Sequence, residues 1–233
     1  MTRTKCSIPE VKADKLKIAL LGGTFNPLHI GHAMLAETAV KELGYDKVLI
    51  VPTFIPPHKI LSNAVSPEDR LGMVRAFCTV SEHFTAEPCE ITRGGVSYTY
   101  DTLQYVAVRY KDVLEGKPAL IIGQETAAEF DKWYRAADVA RTADIVIARR
   151  YEDGDGVDTA AFRNKPAGAY TGGYVFDSAA GTFPYPHIML ENPVITVSST
   201  EIRARIAEGK SWRYLVPEPV FQYIIERKLY GYK

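Results

Sequence analysis

The chain has 233 residues, enough for one domain or for one domain carrying a substantial insertion. A hydrophobic content of 46% suits a buried core, and 28 Lys and Arg balance 28 Asp and Glu, so no basic excess argues for nucleic acid as a partner. Cys6, Cys78 and Cys89 form no CxxC pair, no apolar run approaches the roughly 20 residues of a membrane span, and residues 1–15 lack the apolar segment of a signal peptide. The expectation is a cytoplasmic protein with no membrane partner.

After a short N-terminal extension over 1–15, the apolar run at 16–21 predicts a buried strand over 17–21. It leads directly into GGTFNPLHIGH at 22–32. Gly22 and Gly23 let the backbone turn tightly and approach a ligand without Cβ atoms in the way. Pro27 suits a loop entering a helix, and from His29 the pattern becomes helical, with Gly44 as the stop. His29 and His32 then share one face of the first turn, where free N–H groups and the positive dipole end can meet an anion. Taken alone, two histidines at this spacing suit a structural role as well as a chemical one.

Residues 47–53 read as a second buried strand. Ser66-Pro67-Glu68-Asp69 is a helix start, with a serine cap, proline at the first position and acids that suit the dipole. That helix is expected to run to about 80. Residues 87–92 look like a strand, 100–110 a helix, 119–123 a strand, 127–140 mostly helix and 144–148 a fifth strand. Residues 151–186 carry six glycines, at 154, 156, 168, 172, 173 and 181, and lack periodicity, so they read as a surface insertion. Strands resume at 187–191 and 194–197. The βαβα rhythm predicts an α/β fold with a doubly wound, Rossmann-like parallel sheet flanked by helices. Ligands are expected at the carboxyl ends of the strands. A C-terminal helical segment completes a single domain over 16–233.

Residues 195–203, ITVSSTEIR, repeat the strand-to-helix logic, with Ser198, Ser199 and Thr200 available as caps and Arg203 on the first turn. An ordinary cap and a solvated arginine would look the same. Two other phosphate motifs are missing. Gly209-Lys210-Ser211 lacks the earlier glycine and leading strand of a Walker loop, and no GxGxxG occurs.

GGTFNPLHIGH resembles the HxGH signature of the nucleotidyltransferase superfamily, and SSTEIR resembles the SSTxIR element of its adenylyltransferases. Within that superfamily, Pro56-Pro57-His58-Lys59, the segment Ser97-Tyr98-Thr99-Tyr100-Asp101-Thr102-Leu103, and Ile121-Ile122-Gly123 followed by Phe130 and Trp133-Tyr134 resemble bacterial nicotinate mononucleotide adenylyltransferases. Leu215-Val216-Pro217 and the closing helix resemble theirs too, so the likeness spans roughly residues 16–230. Asn26 stands where an aspartate is common, and Glu125 replaces the usual aspartate after Ile-Ile-Gly.

The resemblance implies transfer of AMP from ATP to nicotinate mononucleotide, giving nicotinate adenine dinucleotide and pyrophosphate in NAD biosynthesis. It implies catalytic roles for His29, His32 and Arg203. Gly22, Gly23, Thr24, Phe25, Ser199, Thr200 and Glu125 would contact ATP. Lys59, Tyr98, Thr99, Trp133 and Tyr134 would contact the mononucleotide, although a tryptophan is more often core than ligand. Mg²⁺ is expected with ATP, held mostly by phosphates and water, with no protein ligand. The residues leave open whether the pyridine carries an acid or an amide, whether phosphopantetheine is the acceptor, whether a homo-oligomer forms, and whether the chain is instead a nucleotide-binding regulator.

Overall fold

A computed structural model describes residues 15–57, 65–149 and 183–233. Six strands, β1 (Ile18–Gly23), β2 (Lys47–Pro52), β3 (Phe84–Ala86), β4 (Ala119–Gly123), β5 (Asp144–Ala148) and β6 (His187–Leu190), pair in the order β3-β2-β1-β4-β5-β6. Every pairing is parallel. The order reverses between β1 and β4, and a crevice opens at such a switch point.

Both faces of the sheet are buried, which explains why the strands read as unbroken apolar runs. Ala19, Leu21, Val48, Ile50, Ile121 and Val146 face one core. Their neighbours Ile18, Leu20, Leu49, Val51, Leu120 and Ile145 face the other. The first core is covered by α1 (Ile30–Lys41), α2 (Pro67–Cys78), α7 (Ser199–Ala207) and α8 (Glu218–Glu226). The second is covered by α4 (Thr99–Arg109) and α6 (Ala136–Thr142), with the short helices α3 (Cys89–Arg93) and α5 (Gln124–Ala127) at its margin. Two helix starts match the sequence chemistry: Ser66 accepts from Asp69 N at 3.0 Å, and Ser198 accepts from Glu201 N at 3.2 Å.

Three expected elements differ. The strand expected at 87–92 lies earlier, at Phe84–Ala86, because Pro88 sits at the N-cap of α3 and Glu87 Oε1 accepts from Cys89 N at 3.1 Å, which turns the chain into a helix. The segment 194–197 joins no ladder among the described residues. It is a connector that sends Val197 into the core and leads to α7. The helix expected over 127–140 is broken into α5, a 3₁₀ turn at Phe130–Lys132 and α6. Arg135, in a left-handed conformation at φ 57°, ends the break. Lys59 and nearly all of the glycine-rich insertion lie outside the described residues.

Candidate active site

A cavity of about 540 Å³ opens at the carboxyl ends of β1 and β4. Gly22, Gly23, Thr24, His29 and His32 line it from the β1 side, and Glu125, Trp133 and Tyr134 from the β4 side. Tyr98 and Thr99, at the start of α4, close a third wall together with Pro56 and Pro57.

The β1 loop is tightly built. Phe25 is buried at 1% exposure and adopts φ 49°, a left-handed conformation that costs a bulky residue energy and persists only where the surroundings over-determine it. The Phe25 ring lies against Gly23, where a Cβ would come within 3.1 Å of it. His29 caps α1, and its backbone N–H donates to His32 Nδ1 at 3.2 Å. A neutral imidazole that accepts at Nδ1 carries its proton on Nε2, so His32 is a fixed Nε2 donor. The two imidazoles stack with centroids 3.8 Å apart, and Phe25 abuts His32 edge-on at 4.9 Å. Gly31 makes room for this stack, because a Cβ there would meet the His29 ring at 3.1 Å.

Ser199, Thr200 and Arg203 do not line the cavity itself; they grip the loop that does. Arg203 Nη1 donates to the Asn26 carbonyl at 2.7 Å, Arg203 Nη2 donates to Thr200 Oγ1 at 3.3 Å, and Ser199 Oγ donates to the Pro27 carbonyl at 2.8 Å. The two motifs, 177 residues apart at the Arg203–Asn26 contact, therefore meet. Asn26 is buried, and its Oδ1 accepts from Tyr230 Oη at 2.9 Å and from Val65 N at 3.4 Å. A neutral amide suits this enclosed position, whereas an aspartate would place a charge there.

On the opposite wall, the broken helix explains the aromatic surface. Trp133 ends the 3₁₀ turn, half-buried against Phe130 at 5.0 Å, and Tyr134 packs on Tyr98 at 4.7 Å while remaining 51% exposed. Arg135 lies over the Tyr100 ring at 4.0 Å and holds the turn from outside. Glu125 folds back over Gly123, where a Cβ would come within 2.6 Å of its Oε2. The extra methylene relative to aspartate is thus taken up by a bend toward its own strand.

Three polar residues at this site escaped the sequence reading. Arg70 is buried beneath the β1 and β2 loops at 1% exposure. Glu90 lines the cavity, accepts from Thr102 Oγ1 at 2.6 Å, and has no partner for Oε2 among the described residues. Burial pushes its carboxyl above the usual carboxylate range, against the opposing hydrogen bond from Thr102. Asn192 lines the wall near β5, accepting from Arg149 N at 2.9 Å and donating to Arg149 O at 3.1 Å. A polar residue on an otherwise apolar helix face was the available signal for Arg70, since Leu71, Met73, Val74 and Phe77 bury the same side. Among the described residues, no group of three or more His, Cys, Asp or Glu could hold a metal ion, and no helix is long and apolar enough to cross a membrane.

Residues 20–205 match the cytidylyltransferase-like family. A probable nicotinate-nucleotide adenylyltransferase of Treponema pallidum is 38% identical over 216 residues, covering 92% of this chain and 99% of the relative. A second, from Lactiplantibacillus plantarum, is 33% identical and covers 99% of this chain and 93% of the relative. The Plasmodium falciparum nicotinic acid mononucleotide adenylyltransferase complexed with NaAD shares the fold, with a TM-score of 0.64 at 14% identity over 94% of this chain and 98% of that one.

Proposed function

This chain belongs to the nicotinate-nucleotide adenylyltransferases of the cytidylyltransferase-like family, and from that premise we propose that it transfers AMP from ATP to nicotinate mononucleotide. The products are nicotinate adenine dinucleotide and pyrophosphate. The observation that supports this reading is the junction of Arg203 and Ser199 with the Asn26–Pro27 carbonyls, which ties the second motif to the loop between the cavity-lining Thr24 and His29.

An oxygen of the mononucleotide 5′-phosphate attacks the α-phosphorus of ATP in line. A new P–O bond forms, the bond to the β-bridging oxygen breaks, and its electron pair leaves with pyrophosphate. The attacking phosphate is already anionic near neutral pH, so no strong general base is needed. What opposes the step is repulsion between two phosphorylated reactants and charge gathering on the leaving group. Catalysis is therefore positioning and electrostatic stabilisation.

His32 Nε2, His29 and the amides around Gly23–Phe25, with Thr24, hold the ATP phosphates. Arg203 and the Ser199–Thr200 start of α7 take the β- and γ-phosphates, where a guanidinium's fixed fork suits a pair of oxygens. Glu125 lies on the nucleotide side, and Lys59 supplies a positive charge for the mononucleotide. Mg²⁺ arrives as part of the Mg·ATP substrate, bound chiefly through phosphates and water.

Trp133 offers its face to the pyridine ring, with Tyr98, Thr99 and Tyr134 supplying hydrogen bonds around it. Trp133→Ala is expected to raise the KM for the mononucleotide roughly five- to tenfold, the worth of one aromatic stack, while kcat falls less. An unchanged KM would contradict the stacking role. The reading as a whole is tested by supplying ATP with nicotinate or nicotinamide mononucleotide and following pyrophosphate and dinucleotide. The acid should be the better substrate. Preference for the amide would overturn the acceptor, and ATP binding without turnover of either would point to a regulator.

A further inference from the structure

The first motif's loop depends on a buried cation that belongs to neither motif. The β1–β2 ladder ends where Gly23 pairs with Pro52 and Thr53 N donates to the Gly23 carbonyl at 2.9 Å. Beyond that point the two chains have no regular rung between them. Arg70, from the first turn of α2, takes its place. Its Nη1 donates to the Thr24 carbonyl at 2.9 Å and to the Thr53 carbonyl, and its Nη2 donates to the Phe54 carbonyl at 3.1 Å. Buried carbonyls without donors are costly, and a planar fork can serve three of them at once in a way no other side chain can.

Peptide planarity gives this clamp a chemical consequence. In a trans peptide the C=O of one residue and the N–H of the next point in opposite directions. Holding the Thr24 carbonyl toward the core therefore turns the Phe25 N–H the other way. The left-handed φ of Phe25 continues this turn, as expected of a backbone concavity that presents N–H groups to an anion. The second arm of the clamp acts likewise: with the Thr53 carbonyl held, Phe54 N donates outward to Ser97 Oγ at 3.1 Å, which ties the loop to the residue just before Tyr98. A single guanidinium thus braces the phosphate side and the acceptor side of the cavity together.

We infer that Arg70 is a positioning residue, which aims the Phe25 amide at an ATP phosphate and sets the spacing of the β1 and β2 loops by binding the Thr24, Thr53 and Phe54 carbonyls. This deepens the adenylyltransferase reading and rests on it for the kinetic arm of the test. Arg70→Lys keeps the charge and most of the volume but replaces the fork with one ammonium. In the folded variant kcat should fall roughly tenfold or more, with a smaller change in KM for ATP, because the misdirected donor matters most as charge builds on the phosphates. Arg70→Met, which removes the charge, should fall further.

Thermal unfolding and amide NMR accompany the kinetics. In the wild type, added ATP should move the Phe25 amide resonance downfield; in Arg70→Lys that movement should be lost or sharply reduced. A purely structural arginine would lower the melting temperature while leaving both kcat per folded molecule and the Phe25 response unchanged. Either unchanged value in a folded variant overturns the proposal, and so does failure of both variants to fold, which would assign Arg70 to stability alone. If the wild type releases no pyrophosphate with any mononucleotide, the reaction assignment fails. The Phe25 response to ATP then decides the role of Arg70 by itself.

Discussion

His32→Ala should lower kcat by about a hundredfold or more, the usual consequence of removing one preorganised donor from a site that stabilises developing charge. The expectation rests on the way the imidazole is held. The His29 N–H occupies Nδ1, the His29 ring covers one face and Phe25 meets an edge, so tautomer and orientation are set before substrate arrives. A donor that needs no rearrangement contributes most in the transition state, so KM for ATP should change much less than kcat. The substitution also strips the His29 amide of its acceptor at the helix start, at a stability cost on the order of 1 kcal/mol. That cost is small enough for the variant to be assayed folded. Steady-state pyrophosphate release measures the outcome, and a kcat within a few-fold of wild type would remove His32 from the chemistry.

Arg203→Ala is expected to reduce kcat/KM for ATP by about a hundredfold as well, for two linked reasons. In the proposed reaction the guanidinium takes the leaving phosphates, and in the structure it supplies the donor for the Asn26 carbonyl. Arg203→Lys should recover part of the loss, since a point charge survives but cannot serve the carbonyl and two phosphate oxygens at once. An alanine variant that keeps kcat/KM within a few-fold would show that the second motif only packs against the first. A double variant with His32→Ala would then report whether the two groups act on the same charge, because neighbours in one network lose less together than the sum of their separate losses.

Much of the architecture was legible because it is written locally. Parallel strands buried on both faces appear as short apolar runs, and Ser66-Pro67 and Ser198 announce their helices by cap chemistry. The errors arose where a local signal was outvoted. At 87–92, where a strand is expected, Glu87 and Pro88 instead start a helix, and the sheet position is taken by Phe84–Ala86, paired with β2. Residues 194–197 are β-branched, but no neighbouring strand offers them a ladder among the described residues. The helical pattern at 127–140 conceals the 3₁₀ turn and the left-handed Arg135 that bring Trp133 and Tyr134 to the cavity wall.

For this protein, the amino-acid order alone determined the identities and spacing of the donor groups in each motif, because a glycine turn, an N-cap and an i, i+3 pair are relations among near neighbours. Only the tertiary structure decided what those donors are held by. Arg203 reaches Asn26, Tyr230 reaches the same residue from the C-terminus, and Arg70 spans two loops from beneath. Such contacts leave no periodicity in the chain. They arise when an ordered sheet brings distant carbonyls together in a dry interior, where each must find a donor.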